Sequence, residues 1–126
     1  MFHIRLYPAL GAGLLLLAVA GCTREAGPSL SAPEAHVQVQ AGQLTLIDIR
    51  RPDEWKQTRV AQGALEIDIA HPQGAAGFVK RVEAELGGDR NAPIGLICRT
   101  GNRSTQMQRA LVEAGFTRVY NVKEGM

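Results

Sequence analysis

The sequence predicts a single α/β domain, built as an open parallel sheet with helices on both faces. Two observations predict this fold. Short apolar segments, typical of strands covered on both sides, alternate along the chain with longer segments whose apolar residues recur at helical spacing. Strands separated by helices favour parallel pairing through right-handed crossovers. A length of 126 residues suits one domain.

Each element has its own local signal. Ser31 followed by Glu34 fits a capping box, and Pro52 suits the first turn of a helix because proline lacks the N–H that would be unpaired there. The predicted strands are residues 44–49, 65–69, 94–97 and 118–122. The predicted helices are residues 33–41, a helix beginning at Pro52, residues 75–86 and residues 104–114.

Residues 1–21 are predicted to be an export signal, not part of the fold. A basic start is followed by an apolar run at 9–20, which is shorter than the ~20 residues needed to span a bilayer. The following Val-Ala-Gly-Cys, ending at Cys22, resembles the lipobox of bacterial lipoproteins. That resemblance implies cleavage before Cys22, its acylation, and a membrane-anchored periplasmic protein. By the same resemblance, Thr23 rather than Asp at the next position implies the outer membrane.

The remaining chain divides into a lipid-anchor cysteine and linker, residues 22–33, and a folded domain, residues 34–126. The linker prediction depends on the Gly, Pro and Ser content of residues 22–33.

The charge balance and the apolar content bound the class of protein. Without residues 1–21, the chain has thirteen basic and twelve acidic residues, so its net charge does not indicate nucleic-acid binding. The content of 45% hydrophobic residues suffices for a buried core.

Cys98 is the candidate reactive residue. With Cys22 acylated, it is the remaining thiol of the domain, and it directly follows the predicted strand 94–97, at the edge of a parallel sheet where ligands bind. Backbone N–H groups of the loop and the positive end of the next helix favour its thiolate form. The predicted active-site loop consists of Cys98, Arg99, Thr100, Gly101, Asn102 and Arg103, with Ser104 as a supporting residue.

These landmarks together resemble the rhodanese domain. The resemblance rests on residues 46–50, 52–55, 63–64, the loop with Ser104, and residues 110–119, and it covers about residues 33–126. It implies a parallel sheet flanked by helices and a cysteine that cycles between thiolate and persulfide. By that resemblance Cys98 accepts sulfur from a small anionic donor such as thiosulfate and passes it to a thiol or cyanide acceptor, without a cofactor or metal.

The chain departs from the family pattern at two places. Residues 60–64, Val-Ala-Gln-Gly-Ala, replace the usual His-Ile-Pro-Gly-Ala. The family also continues beyond the Gly-Met found here at Gly125 and Met126, usually with a last helix. Its absence is expected to leave apolar sheet surface exposed.

Two other functions remain open. Phosphatases and arsenate reductases also place a Cys thiolate before a helix, but their loops have one residue more than the four between Cys98 and Arg103. The shorter loop favours a single sulfur over an oxyanion. The second alternative is a non-catalytic periplasmic binding module. Thioredoxin-like chemistry would require a second Cys at the position of Gly101.

The remaining polar candidates have supporting roles. Arg99 and Arg103 are predicted to pair with the anionic donor. Asp48 and Arg50, at the end of a predicted strand, are predicted to form a structural ion pair or to bond loop backbone. His36 and His71 have no further ligand residue at metal-binding spacing, so no metal site is predicted.

Overall fold

A computed structural model describes residues 27–70, 72–123 and 125–126. Within them a five-stranded, fully parallel sheet has the strand order β1-β5-β4-β2-β3. The strands are β1 Ser29–Leu30, β2 Thr45–Asp48, β3 Leu65–Glu66, β4 Ile94–Ile97 and β5 Val119–Val122. The helices are α1 Ala32–Gln40, α2 Pro52–Thr58, α3 Gly74–Glu85 and α4 Asn102–Glu113. The predicted α/β fold is therefore confirmed.

The two central strands end level with each other. β2 pairs with β4 in a register that sets Asp48 opposite Ile97, and the N–H of Ile49 donates to the carbonyl of Ile97 at 3.0 Å. Because parallel strands run in the same direction, the loops that follow them leave from one edge of the sheet. The segment after Asp48 and the loop that begins with Cys98 are therefore neighbours.

Each face of the sheet packs against its own helices. Along β2, Leu46 contributes to one core and Ile47 to the other, as the alternation of side chains along a strand requires. The larger core includes residues of α3 and α4, and the smaller one includes Ala35 of α1. The larger core consists of Ile47, Ile49, Ile67, Phe78, Val82, Ile94, Leu96, Cys98, Leu111, Phe116 and Val119. The smaller consists of Ala35, Leu44, Leu46, Ile97 and Val122.

The prediction of a linker over residues 22–33 is wrong for its last part. Ser29–Leu30 form β1, which pairs with β5, and the amide of Gln108 donates to the carbonyl of Pro28 at 2.7 Å. These contacts come from distant parts of the chain, so local composition does not show them. The capping box of α1 is confirmed, since Ser31 and Glu34 exchange bonds of 2.8 and 3.3 Å.

Element boundaries differ from the predicted ones where a turn intervenes. The predicted strand 65–69 ends at Glu66, because the Asp68 carboxylate accepts the N–H of Ala70 at 2.8 Å and bends the chain. The predicted helix at 104–114 begins two residues earlier, at Asn102, because Gly101 takes the N-cap position in a left-handed conformation.

A groove of about 180 Å³ lies on the face of the sheet that α1 covers. Its walls are mostly apolar, with Leu46, Ile97 and Val122 from the sheet and Val39 from α1. Met126 lies at the groove, and its N–H donates to the carbonyl of Cys98 at 2.9 Å. Among the described helices, none is both long and apolar enough to cross a membrane.

The central strand supplies a stability test. Leu96 of β4 is fully buried in the larger core, so Leu96→Ala removes apolar contacts and leaves a cavity. We expect a loss of about 2–5 kcal/mol in the free energy of unfolding, measured by urea denaturation. Val112→Ala on the exposed side of α4 is the control, since Val112 is 52% exposed and should change stability by less than about 0.5 kcal/mol. Equal losses in the two variants would contradict this assignment of the core.

Candidate active site around Cys98

Cys98 is the first residue after β4 and has no solvent-accessible surface. The loop from Arg99 to Gly101 leads directly into α4, so the side chain lies between the end of a central strand and the start of a helix. This is the sheet edge that the sequence predicts for chemistry. Arg99 and Thr100 are exposed, and Gly101 is partly buried.

The loop directs hydrogen-bond donors at the sulfur. The N–H of Gly101 donates to Cys98 Sγ at 3.1 Å, and Ser104 Oγ lies 3.4 Å from the same atom. Gly101 has a φ of 91°, a left-handed conformation that glycine adopts without strain. As the N-cap of α4, it leaves the first N–H groups of that helix without backbone partners, and such groups stabilise an anion.

The balance of these contacts favours the thiolate. Burial alone would raise the pKa of the Cys98 thiol. The hydrogen bond between Cys98 and the Ser104 side chain, together with the backbone groups of Ser104, Gly101 and Thr100, outweighs burial, so that the pKa of Cys98 lies below its ordinary value. Cys98 is thus a buried thiol whose charged form is stabilised by the surrounding dipoles.

Asp48 and Arg50 form the predicted structural ion pair. Arg50 Nη2 lies 2.8 Å from Asp48 Oδ2, and both side chains are almost fully buried. The same guanidinium donates to Thr58 Oγ1 at 2.5 Å and to the carbonyl of Arg59 at 2.7 Å. Because Thr58 and Arg59 are at the C-terminal end of α2, the pair fixes this helix to the end of β2.

Arg103 has a partner that the sequence did not predict. Its two terminal nitrogens lie 2.7 and 2.8 Å from the carboxylate oxygens of Glu54 on α2, a bidentate pair. The hydrogen bonds from Arg103 oppose the effect of burial and lower the pKa of Glu54 to about 2. The prediction that Arg103 pairs with a donor anion is therefore incomplete, since its guanidinium is already bound to a carboxylate.

Arg99 is the loop cation without such a partner. It makes no ion pair with any other residue that the structure describes. Its side chain lines a cleft of about 170 Å³ beside the loop, together with Gln57, Arg50 and Met126. The carboxylate-bearing Glu54 also lines this cleft. The pairing of Arg99 with an anionic donor stays a prediction.

A second layer beneath the sulfur includes a residue that sequence reasoning missed. Asn121 of β5 is 9% exposed, and its Oδ1 accepts from Ser104 Oγ at 2.5 Å. Its Nδ2 donates to Thr105 Oγ1 at 2.8 Å. A polar residue inside an apolar predicted strand was the available signal, the same signal that singled out Asp48.

The two candidate histidines and the predicted acylated cysteine are not among the residues that the structure places at this site. His36 is on the exposed side of α1, whereas His71 and Cys22 are outside the described residues, as is the predicted signal at 1–21. In the part of the chain that the structure describes, no three His, Cys, Asp or Glu residues come close enough to bind a metal ion.

Comparison with known proteins identifies the family. The model of the rhodanese-like domain matches residues 31–126. This range contains the complete Cys98 loop and every strand of the sheet except β1. The chain belongs to the rhodanese-like domain family. Among curated relatives of this domain, thiosulfate sulfurtransferase 16 of Arabidopsis thaliana, a chloroplastic protein, is 33% identical over 103 residues, covering 77% of this chain and 82% of the plant protein.

Solved structures of rhodanese-like domains show the same fold. A human single-domain sulfurtransferase superposes with a TM-score of 0.61 at 21% identity, covering 79% of this chain and 92% of the human one. The polysulfide-sulfur transferase homodimer of Wolinella succinogenes superposes with a TM-score of 0.61 at 28% identity, over 79% of this chain and 69% of that one.

The pair between Glu54 and Arg103 predicts a pH-dependent stability. The pKa of Glu54 is lowered on folding, so its contribution is complete above its ordinary value of 4.5 and is lost as the pH falls toward about 2. We expect Glu54→Gln to lower the thermal midpoint of this rhodanese-like domain at pH 7, and the difference from the wild type to shrink between pH 5 and pH 3.

Glu85→Gln is the matched control, because Glu85 pairs with Arg81 on the exposed surface of α3. Exposed pairs contribute little, so its midpoint should stay close to that of the wild type at every pH. A deficit in Glu54→Gln that is independent of pH would contradict the lowered pKa of Glu54.

Proposed function

We propose that this protein is a sulfurtransferase in which Cys98 carries the transferred sulfur as a persulfide. The observation that carries the proposal is the set of donors around one buried sulfur: the N–H of Gly101 at 3.1 Å, Ser104 Oγ at 3.4 Å and the start of α4. Membership of the rhodanese-like family and similarity to a plant thiosulfate sulfurtransferase support it.

The proposed reaction has two half-reactions. In the first, the Cys98 thiolate attacks the outer sulfur of an anionic donor such as thiosulfate. A new sulfur–sulfur bond forms, the bond within thiosulfate breaks, and sulfite leaves with the electron pair. In the second, a thiolate or cyanide attacks the terminal sulfur, and Cys98 departs as a thiolate. No net oxidation occurs, so no cofactor is needed.

The surrounding dipoles suit this cycle. The terminal sulfur of a persulfide carries negative charge, as the thiolate does, and the preformed N–H groups of the loop stabilise such a charge without reorganising. Arg99, whose charge has no carboxylate partner among the described residues, is the proposed contact for the anionic donor at the adjacent cleft. Arg103 is held by Glu54 and keeps the loop in place.

The dimensions of the loop argue against hydrolysis of phosphate esters. Only four residues separate Cys98 from Arg103, and Cys98 exposes no surface to solvent. The space around the sulfur is therefore small, which favours the single added sulfur atom of a persulfide over a transferred phosphoryl group. In addition, the guanidinium of Arg103 that would bind an oxyanion is occupied by Glu54.

The first experiment compares the wild type with Cys98→Ser. We expect the wild type to gain the mass of one sulfur atom after incubation with thiosulfate and to release it to cyanide. Cys98→Ser should do neither while keeping its circular dichroism spectrum, because serine is similar in size and cannot form a persulfide. Cys22→Ala is the matched control and should take up sulfur like the wild type.

Three results would overturn the proposed chemistry. If the wild type takes up no sulfur from thiosulfate or polysulfide, the protein is a binding module and not an enzyme of this class. If it hydrolyses phosphate esters faster than it transfers sulfur, the phosphatase alternative replaces the proposal. Retained sulfur uptake in Cys98→Ser would exclude Cys98 as the acceptor.

We further propose that the protein is a periplasmic lipoprotein anchored through Cys22. The support is in the sequence: a basic start, an apolar run of twelve residues at 9–20, and the Val-Ala-Gly-Cys that ends at Cys22. Acylation at the thiol and the new amino group would supply more than one chain, which stable anchoring requires.

Fractionation tests the anchor. In a bacterium that processes lipoproteins, the wild type should appear with the membranes, and Cys22→Ala should appear in the soluble fraction, because it lacks the acylated thiol. Cys98→Ser serves as the matched control and should remain with the membranes. Membrane association of Cys22→Ala that equals the wild type would contradict the lipoprotein proposal.

A further inference from the structure

Beneath Cys98, a chain of polar side chains connects the sulfur to β5. Cys98 Sγ lies 3.4 Å from Ser104 Oγ, and Ser104 Oγ lies 2.5 Å from Asn121 Oδ1. Asn121 Nδ2 lies 2.8 Å from Thr105 Oγ1, which in turn lies 2.7 Å from the carbonyl oxygen of Gly101. Ser104 is fully buried and Asn121 nearly so, so neither has bulk water to replace a lost partner.

When Cys98 is neutral, this chain offers an acceptor for each of its protons. A thiol has one proton to donate, and Ser104 Oγ is its nearest acceptor. The Ser104 hydroxyl then donates to Asn121 Oδ1 at 2.5 Å, with the Gly101 carbonyl oxygen at 3.0 Å as a second, longer contact. The amide donates to Thr105 Oγ1, and the Thr105 hydroxyl donates to the Gly101 carbonyl. Every proton along the chain has an acceptor.

When Cys98 is a thiolate, the sulfur changes from a hydrogen-bond donor to an acceptor. The charged sulfur can only accept, so the single Ser104 proton must turn toward Cys98 Sγ. Ser104 Oγ and Asn121 Oδ1 would then face each other at 2.5 Å with no proton between them, which is repulsive. A half-turn of the amide removes the conflict because it exchanges oxygen and nitrogen at nearly constant shape. Nδ2 then donates to Ser104, and Oδ1 accepts from Thr105.

We propose that Asn121 is a positioning residue that sets the direction of the Ser104 hydroxyl, and thereby how well the loop holds negative charge on the Cys98 sulfur. The amide suits this role because it offers a donor and an acceptor at one end of a single side chain. A carboxylate would offer acceptors only, and an apolar side chain neither. Asn121 contacts no substrate in this role and acts through Ser104.

The charged groups around the loop do not supply this control. Arg103 is paired with Glu54, and Arg50 is paired with Asp48, so both cations are bound to carboxylates. Arg99 has no such partner among the described residues, but it is exposed, so solvent and salt screen its charge. On the side of β5 that faces Ser104, the group in contact is the neutral Asn121. The direction of the neutral chain is therefore the adjustable element next to the sulfur.

This inference rests on the same site as the proposed sulfur transfer and deepens it, but its test does not require transfer to occur. Thiolate absorbance in the ultraviolet is measured against pH for the full chain, with the titration of Cys98→Ser subtracted. The ionisation constant of Cys98 is the readout. Failure of the wild type to transfer sulfur would leave this measurement intact.

We expect Asn121→Leu to lower the ionisation constant of Cys98 about tenfold, the size expected when a hydrogen bond to a charged group is weakened or lost. Ser104→Ala should lower it as well. In the Ser104→Ala background, Asn121→Leu should have no further effect, because the hydroxyl it orients is absent. Circular dichroism confirms folding, and Asn121→Asp is the second variant if Asn121→Leu does not fold. It should lower the constant further, since a carboxylate keeps the Ser104 proton from the sulfur.

Asn91→Asp is the matched control, because Asn91 is an exposed asparagine in the turn before β4, at the opposite end of the strand from Cys98. It adds the same charge and should leave the ionisation constant unchanged. An unchanged constant in folded Asn121→Leu or Asn121→Asp would overturn the proposal. So would an equal shift by Asn121→Leu with and without the Ser104 hydroxyl, since Asn121 would then act independently of Ser104.

Discussion

The rest of the structure depends on one constraint, which is the stabilisation of negative charge on a sulfur that solvent does not reach. Burial opposes ionisation of Cys98, so its environment must supply hydrogen-bond donors. The N–H of Gly101, the Ser104 hydroxyl and the first turn of α4 supply them. These groups are correctly placed only because β4 ends immediately before Cys98 and α4 begins four residues after it.

The elements beside the loop hold it from two sides. On one side, Arg50 joins the end of β2 to the end of α2, and α2 presents Glu54 to Arg103 of the loop. On the other side, Asn121 of β5 holds Ser104 and Thr105 at the start of α4. The geometry around the sulfur is thus supported by both neighbours of β4, because parallel strands bring their carboxyl ends to one edge.

The same arrangement separates the roles of the two loop arginines. Arg103 points toward α2 and forms a bidentate pair that maintains the loop, whereas Arg99 is exposed at the cleft and has no partner among the described residues. Sequence alone treats the two as equivalent cations beside a nucleophile. Their difference follows from Glu54, which lies 49 positions before Arg103 in the chain and meets it only in the folded state.

Local chemistry explains what the sequence by itself determined. The alternation of apolar and helical segments predicted the parallel α/β fold, and the Gly101 turn behind a strand predicted that Cys98 lies at the edge of the sheet, because strand ends and helix starts have short-range signals. Tertiary structure decided the rest. β1, the partner of Arg103 and the bond between Ser104 and Asn121 all join residues far apart in sequence, and such pairings follow from strand order and register, which no local pattern encodes.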